Sequence, residues 1–417
     1  MEHTEPAPPG RRYPHPALFG VMVLPFGAAV GFLQIAVPWW FAHEGMPLDQ
    51  IATISSLAFM PHGWKIFWCP LIDLGPHRKA WYLACVVLTA ALLAAASMIP
   101  APGQHVALLV VLLTAAQATA ATSSAALDAL MAITPRDEDK GRAGGFYMAG
   151  NVGGTGLLGA LAIWLGDHLS PQAAGLIMAG IVLASALPVF TLVEPQEVAD
   201  RAGEWLSVLG QRARSIGRDL WSTVRSREGI TGLIILASPV GCGALTNLFS
   251  ALAPDYQAPA STVELVNGLG GGLTGAAGSV LGGYLADKMN RRLAYGLAGG
   301  LTALCALAMA AAPMNPTSYA LGTLSYSFAN GIAFAAFAGM VLEMVGHSPA
   351  VTTKYTLFTA VSNQAILYTT WLDGKAGARW GTRGSVAFDG VLTFAGILIL
   401  IAMVLISRKP KPEQAAA

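Results

Sequence analysis

The sequence predicts an all-α membrane protein: twelve transmembrane helices in two six-helix, pseudo-symmetric bundles, with the N and C termini cytoplasmic. Three observations predict it. Of the 417 residues, 54% are hydrophobic and only 11% charged. Soluble domains carry about 25% charged residues, so this chain cannot cover a water-facing surface and lipid must be its solvent. The apolar residues fall into runs of roughly 20, the length a membrane helix needs. Finally, one arrangement occurs twice at an offset of 214 residues. Pro25 and Gly27 interrupt the first long apolar segment, as Pro239 and Gly241 interrupt the first of the second half. Asp73 ahead of Arg78 and Lys79 is matched by Asp287 ahead of Arg291 and Arg292.

The elements follow in order. Residues 1–16 are polar and proline-rich and read as a disordered cytoplasmic tail. They hold no short apolar core with a small-residue cleavage site, and a full spanning helix follows, so no removal is expected. The first bundle, 17–193, has spans at 17–41, 49–71, 80–100, 106–131, 143–165 and 172–192. Residues 194–229 form a polar cytoplasmic central loop. The second bundle, 230–407, has spans at 230–253, 262–286, 293–312, 317–344, 354–372 and 385–407, and 408–417 is a second cytoplasmic tail.

Orientation comes from the positive charges. Twenty of the 24 lysines and arginines fall on the side of the termini, and only Lys375, Arg379 and Arg383 fall in an opposite loop. Basic residues mark the cytoplasmic side. The three exceptions read as a solvated outer loop or as an external recruitment site for anions. In the central loop, Trp205, Leu209, Ile216, Leu220 and Val224 recur near helical spacing among arginines. That pattern reads as an amphipathic helix lying on anionic lipid. Cys69, Cys85, Cys242 and Cys305 all lie in apolar runs without metal or redox spacing and read as buried apolar side chains. A net charge of +1 makes no case for nucleic acid.

The second-half loop carries Gly283, Asp287, Lys288, Asn290, Arg291 and Arg292. It resembles the G-x3-D-[RK]-x-[GN]-R-R signature of the major facilitator superfamily, and the first-half copy at Asp73, Arg78 and Lys79 is more degenerate. A helix-end aspartate can pair with an arginine or a helix N-terminus of the neighbouring bundle in one conformation only, which biases a two-state equilibrium. Asp73, Arg78, Lys79, Asp287, Arg291 and Arg292 are therefore the expected gating set. The run Trp64, Lys65, Phe67, Trp68, Pro70, Leu71, Asp73, then Arg78, Lys79 and Trp81, is similar to the second-helix signature of the peptide/acetyl-coenzyme A transporter group, which includes muropeptide permeases of the AmpG type. Stretches around Asp128, Arg142 and Asn151, and from Thr353 through Tyr355 to Asn363, resemble the same group. The resemblance implies a major facilitator fold and transport of a small-molecule organic anion; protons are the expected coupling partner because no Walker motif is present to draw on ATP. Well-known muropeptide permeases are longer and carry extra helices, and shorter relatives import ferric siderophores, so the substrate stays open between a muropeptide, a ferric siderophore and an acyl thioester. A bacterial inner-membrane protein acting as a monomer is the corresponding expectation.

Individual residues sharpen it. Lys65 is expected deep in its span, where an ammonium group must face the bundle interior or a wet cavity. With Trp64 and Trp68 it reads as an anion anchor between aromatic walls, or else as a lysine snorkelling to the inner surface. Asp128 and Glu343 are 215 residues apart and hold equivalent places in the fourth and tenth spans. They read as proton-coupling carboxylates or as charge partners of Arg142 and the gating loops. His62 is a third candidate for coupling, or a pore-lining ring. Gln34, Asn151 and Asn363 lie inside apolar segments, where an amide either bonds a neighbouring helix or lines the cavity. The glycine runs at 150–159 and 268–283 have a packing explanation and are not phosphate loops, since no strand precedes them and no Lys-Ser/Thr follows. No Walker motif is present, so the expected energy source is an ion gradient, and no cofactor is expected. The alternatives are a polytopic membrane enzyme, for which no metalloprotease motif or triad is found, and a non-transporting membrane sensor.

Overall fold

The computed structural model describes residues 13–69, 72, 77–99, 104–136, 139–193, 214, 217–218, 221–222, 224–345 and 351–407. Among the described residues there is no strand. Among the described residues the two halves hold six helical segments each. The first half holds α1 (Ala17–His43), α2 (Leu48–Trp64), α3 (Arg78–Ser97), α4 (Val106–Ile133), α5 (Lys140–His168) and α6 (Pro171–Ala186). The second half starts with α7 (Arg227–Ala237), which breaks and resumes as short turns at Ala244–Asn247, Phe249–Leu252 and Ala253–Tyr256. Then comes α8, from Ala260–Val263 through a π-helical stretch, Glu264–Gly270, into Gly271–Lys288. The chain ends with α9 (Arg291–Ala311), α10 (Pro316–Val345), α11 (351–380) and α12 (382–407). Among the described residues, eight helices are long and apolar enough to cross a membrane, the α11–α12 pair counting as one. Large apolar side chains such as Val111, Leu273, Val280, Leu321 and Leu398 point outward, each more than 60% exposed, as a lipid-facing surface requires.

Helix starts follow local chemistry. Ser170 caps α6 by accepting from Ala173 N at 3.1 Å, ahead of Pro171. Ser226 caps α7 through Gly229 N at 2.9 Å, and Asn290 caps α9 through the amides of Arg292 and Leu293. Each cap satisfies a backbone donor that the helix itself cannot.

The halves repeat one packing pattern. α1 lies along α5, α2 on α4, and α3 against α4 and α6. Correspondingly α7 lies along α11, α8 on α10, and α9 against α10 and α12. Across the halves α2 packs on α11 and α5 on α8, the pairing that the same two-fold relation demands. Both expected breaks are real but differ in kind. Pro25 sits in the first turn of a helix that restarts at Leu24, and α1 widens into a π-helical stretch at Phe32–Ala36. At Pro239 the helix stops outright. Gly241 and Gly243 take φ values of 56° and 75°, which only glycine adopts freely. Buried tyrosines satisfy their hydroxyls within the bundle, as a dry interior requires: Tyr82 donates to Met22 O at 2.7 Å and Tyr319 to Phe249 O at 3.0 Å.

Two expectations need correction. The second span does not run to residue 71 as one α-helix: α2 ends at Trp64, and Lys65–Phe67 form a 3-10 turn. The stretch between the last two spans is not a loop. Helical backbone runs through it with one reversal at Gly381 (φ 72°, ψ −177°). Its basic residues are engaged: Lys375 bonds Asp49, and Arg383 donates to Ala312 O at 3.2 Å. Of the central amphipathic helix, the described positions Arg214, Arg218, Trp221, Val224 and Arg225 are helical and exposed, with the Arg225 guanidinium 5.5 Å from the Trp221 ring. Trp205, Leu209, Ile216 and Leu220 lie outside the described residues.

The bundle has a terminal end, holding the first and last described residues, and a far end, holding Gly45, Ser170, Asn315 and Gly381. The halves clasp each other toward the far end. Lys375 Nζ meets Asp49 Oδ2 at 2.9 Å, and Gly374 and Gly377 of α11 lie flush against Ala52 and Leu48 of α2. Gly156 of α5 lies against the Gly268 backbone of α8. The clasp reaches along α2 and α11 through Ser56 Oγ donating to Leu367 O at 3.0 Å, as far as Asn363 Nδ2 donating to His62 O at 2.9 Å.

Candidate functional site

The polar groups of the first half gather on the terminal side of this clasp, where α2, α4 and α5 meet. Lys65 stands at the C-terminal end of α2, half-buried. It is therefore nearer the terminal end than a mid-span lysine would be, because the α-helix stops one residue before it. From α4, Asp128 is close enough for its charge to interact with Lys65. Asp128 keeps exposed surface, so its carboxyl faces open space beside α4 rather than the packed core. From α5, the Tyr147 hydroxyl bonds Ser124 Oγ at 2.7 Å and reaches both Asp128 and Asn151. Tyr147 and Asn151 sit one helical turn apart, so both face α4.

The aromatic neighbours separate into roles. Trp68 Nε1 donates to Thr122 Oγ1 at 3.0 Å, which fixes the indole against α4. Trp64 is 51% exposed and stands edge-on to Phe67, with ring centroids 6.5 Å apart. His62 does not line a pore. It is buried behind Phe59, on which it stacks at 4.3 Å, and Phe26. Its Nε2 lies 2.9 Å from Gln117 Oε1, and Gln117 Nε2 in turn donates to Ala29 O at 2.7 Å. His62 and Gln117 thus tie α2, α4 and α1 together beneath the charged pair.

Other expected site residues lie elsewhere. Asn363 spends its amide on the carbonyl of His62, so it clasps α11 to α2. Gln34 sits half-buried in the π-helical stretch of α1, with no side-chain hydrogen bond among the described residues. Of the gating set, Lys79 Nζ donates to Leu192 O, and Arg291 Nη1 donates to Gly339 O at 3.4 Å. These contacts tie α3 to the end of α6, and α9 to α10. Arg78 and Arg292 open α3 and α9. Asp73 and the side chains of Asp287 and Glu343 lie outside the described residues. Among the described residues no group of His, Cys, Asp or Glu has the arrangement of a metal site.

A cavity of about 730 Å³ opens at the far end of the first half, lined by Phe32, Trp39, Trp40, His43, Asp167 and Gln172 among others. None of the expected site residues borders it. Sequence reasoning missed Ser124 and Tyr147. Their signal was present: Gln117, Ser124 and Asp128 recur on one face of α4, and Tyr147 precedes Asn151 by four.

A family model described as the Major Facilitator Superfamily matches residues 18–363 and 231–417. No curated protein matches the chain in sequence. Among solved structures, the nucleoside transporter NupG superposes with a TM-score of 0.69 at 14% identity, over 94% of this chain and 99% of that one. The inward open conformation of the xylose transporter XylE from E. coli gives 0.66 at 12%, over 95% and 96%. A D-xylose-proton symporter gives 0.68 at 14%, over 93% and 95%. At these identities the likeness is one of fold.

Proposed function

Because the chain belongs to the major facilitator superfamily, and is a polytopic membrane transporter rather than an enzyme, we propose that it is a proton-coupled secondary transporter that imports an organic anion across a bacterial inner membrane. It works as a monomer of twelve spans with cytoplasmic termini, and the far end is periplasmic. One observation carries the anionic substrate: Lys65 lies within charge range of Asp128, which Tyr147 bonds beside Asn151, in a polar recess on the terminal side of the clasp. An ammonium group at such a place is costly in lipid and repays itself by pairing with a substrate carboxylate or a similar anion. Tyr147 and Asn151 add a hydroxyl and an amide that orient the rest of the solute. Trp64 offers an aromatic face at the rim.

Asp128 lies within charge range of Lys65 and serves in this reading as its charge partner. An arriving anion competes with Asp128 for the ammonium. Clasped far ends with the recess on the terminal side correspond to the inward-facing arm of an alternating-access cycle, in which one bundle rocks against the other. Gating by Asp73, Arg78, Lys79, Asp287, Arg291 and Arg292 belongs to that rocking. Muropeptides and ferric siderophores are the anions that the second-helix resemblance favours.

Thermal shift of the purified protein against a panel tests the substrate class. Muropeptide fragments, ferric siderophores and acyl thioesters stand against neutral nucleosides and xylose. Stabilisation by an anion, lost in Lys65→Ala, is the expected result. Stabilisation by neutral solutes alone contradicts it.

A further inference from the structure

The strongest unassigned feature lies in the other half. Asp373 on α11 and Asp389 on α12 each stand eight residues from Gly381, so the helical hairpin that turns there sets them side by side. Both are 0% exposed. The two carboxyl groups are within hydrogen-bonding reach of each other. Tyr326 of α10 donates its hydroxyl to Asp389 Oδ2 at 3.1 Å. No N–H or O–H of another residue reaches either oxygen of Asp373 or the second oxygen of Asp389. One turn closer to the hairpin tip, the buried Ser385 hydroxyl also has no partner, and it lies beside Gly377.

Two carboxyl groups both accept hydrogen bonds when ionised, so a contact between them requires a proton in the gap. The groups that face the pair do not supply a positive charge. They are Tyr326 from α10 and Cys242 from the break of α7, with Tyr295 and Tyr368 around Cys242. Lys375, two residues along α11 from Asp373, is spent on Asp49 across the clasp. The pair also adjoins the gate. Gly374, the residue after Asp373, is where α2 rests through Ala52. Parting α2 from α11 would bring water to within one residue of a site that is now dry.

We propose that Asp373 and Asp389 share one proton, and that this pair, alternately sealed and exposed by the α2–α11 clasp, is the site of the coupling proton. The role in coupling rests on the transport reading given above; the shared proton does not. With the clasp closed, Asp373 carries the proton and donates to Asp389, which keeps a single negative charge held by Tyr326. With the clasp open, the proton passes from Asp373 to water, and a proton from water restores it. The site would differ from the Asp128, Glu343 and His62 candidates suggested by the sequence.

Infrared difference spectra of the full chain, labelled at aspartate carboxyls and titrated from about pH 5 to about pH 9, test the shared proton. The wild type should show a protonated-carboxyl band at neutral pH. Asp373→Asn should abolish it, and Asp389→Asn should keep it, since Asp373 can donate to the new amide oxygen. A wild type without the band, or an unchanged band in Asp373→Asn, overturns the proposal. Should Asp373→Asn fail to fold, Tyr326→Phe replaces it: loss of the donor to Asp389 must shift the band, and an unmoved band overturns the proposal equally. In vesicles, with the solute identified by the thermal panel, Asp373→Asn should retain counterflow and lose accumulation driven by a pH gradient. Accumulation at the wild-type level would remove the coupling role and leave transport standing. Vesicles without any uptake but with the band intact would remove the transport reading and leave the proton site.

Discussion

Lys375 of α11 bonds Asp49 of α2 at 2.9 Å, joining the two halves one residue from the glycine on which α2 rests. The ion pair is partly exposed, with side chains 48% and 22% accessible. Exposed pairs contribute about 0.2–1 kcal/mol. The flush packing of Gly374 on α2 is the stronger determinant, because a side chain there meets Ala52 Cβ and the backbone of Leu48 and Asp49 and must displace α2.

Lys375→Ala should therefore shift the halves only modestly toward the far-end-open state, by about fivefold or less in population. Gly374→Val should shift them much further. Distances between spin labels at the far ends of α2 and α11 read both effects. Equal shifts in the two variants would contradict this ranking.

Close glycine contacts also hold each half together. A Cβ at Gly27 would come within 3.0 Å of the Gly154 backbone, and one at Gly150 or Gly31 would strike backbone oxygens of Gly20 and Thr155. Gly150→Val should destabilise the protein by about 1–3 kcal/mol, the usual cost of overpacking, and lower its melting temperature in detergent. Gly153→Val, where nothing lies within 4 Å of the added carbon, is the control and should leave it unchanged.

Gly381 tests the hairpin. Its φ of 72° with ψ near 180° is a conformation that an L side chain adopts only under strain. Gly381→Ala should cost about 1–3 kcal/mol although space is open around it, and should separate Asp373 from Asp389. Loss of stability in the melt, with a changed carboxyl band, is the expected result. A variant as stable as the parent would mean that the turn tolerates a side chain.

The tyrosine of the recess gives a separate check. Tyr147→Phe keeps the ring and removes the hydroxyl that joins Ser124, Asp128 and Asn151. Removing one shared hydrogen-bonding group should weaken solute binding by about tenfold, with little change in fold. Titration calorimetry with the solute found in the thermal panel measures it. Unchanged affinity would place the solute away from α5.

How much was legible depended on whether the cause was local. The break at Pro239 was readable because proline and glycine act through their own backbone. The two-half plan was readable because the offset of 214 repeats chemistry as well as hydropathy. The depth of Lys65 was not, since nothing in its neighbours announces that the α-helix gives way to a 3-10 turn there. The far-end hairpin was misread for a physical reason. Lys375, Arg379 and Arg383 look like a solvated loop, yet the backbone stays helical and places Asp373 inside the bundle. Asp389 then acquires a partner that sequence spacing alone does not reveal, because only the reversal at Gly381 brings the two together. His62 was visible as a titratable ring, but its burial on Phe59 and Gln117 is a tertiary fact.

The most direct test of the central reading is solute uptake into proteoliposomes under an imposed inward proton gradient, compared between the parent and Lys65→Ala. The account predicts accumulation of an organic anion that collapses on adding a protonophore and falls at least tenfold in the variant. Uptake that ignores the gradient, or that proceeds as well without the Lys65 ammonium, would contradict it.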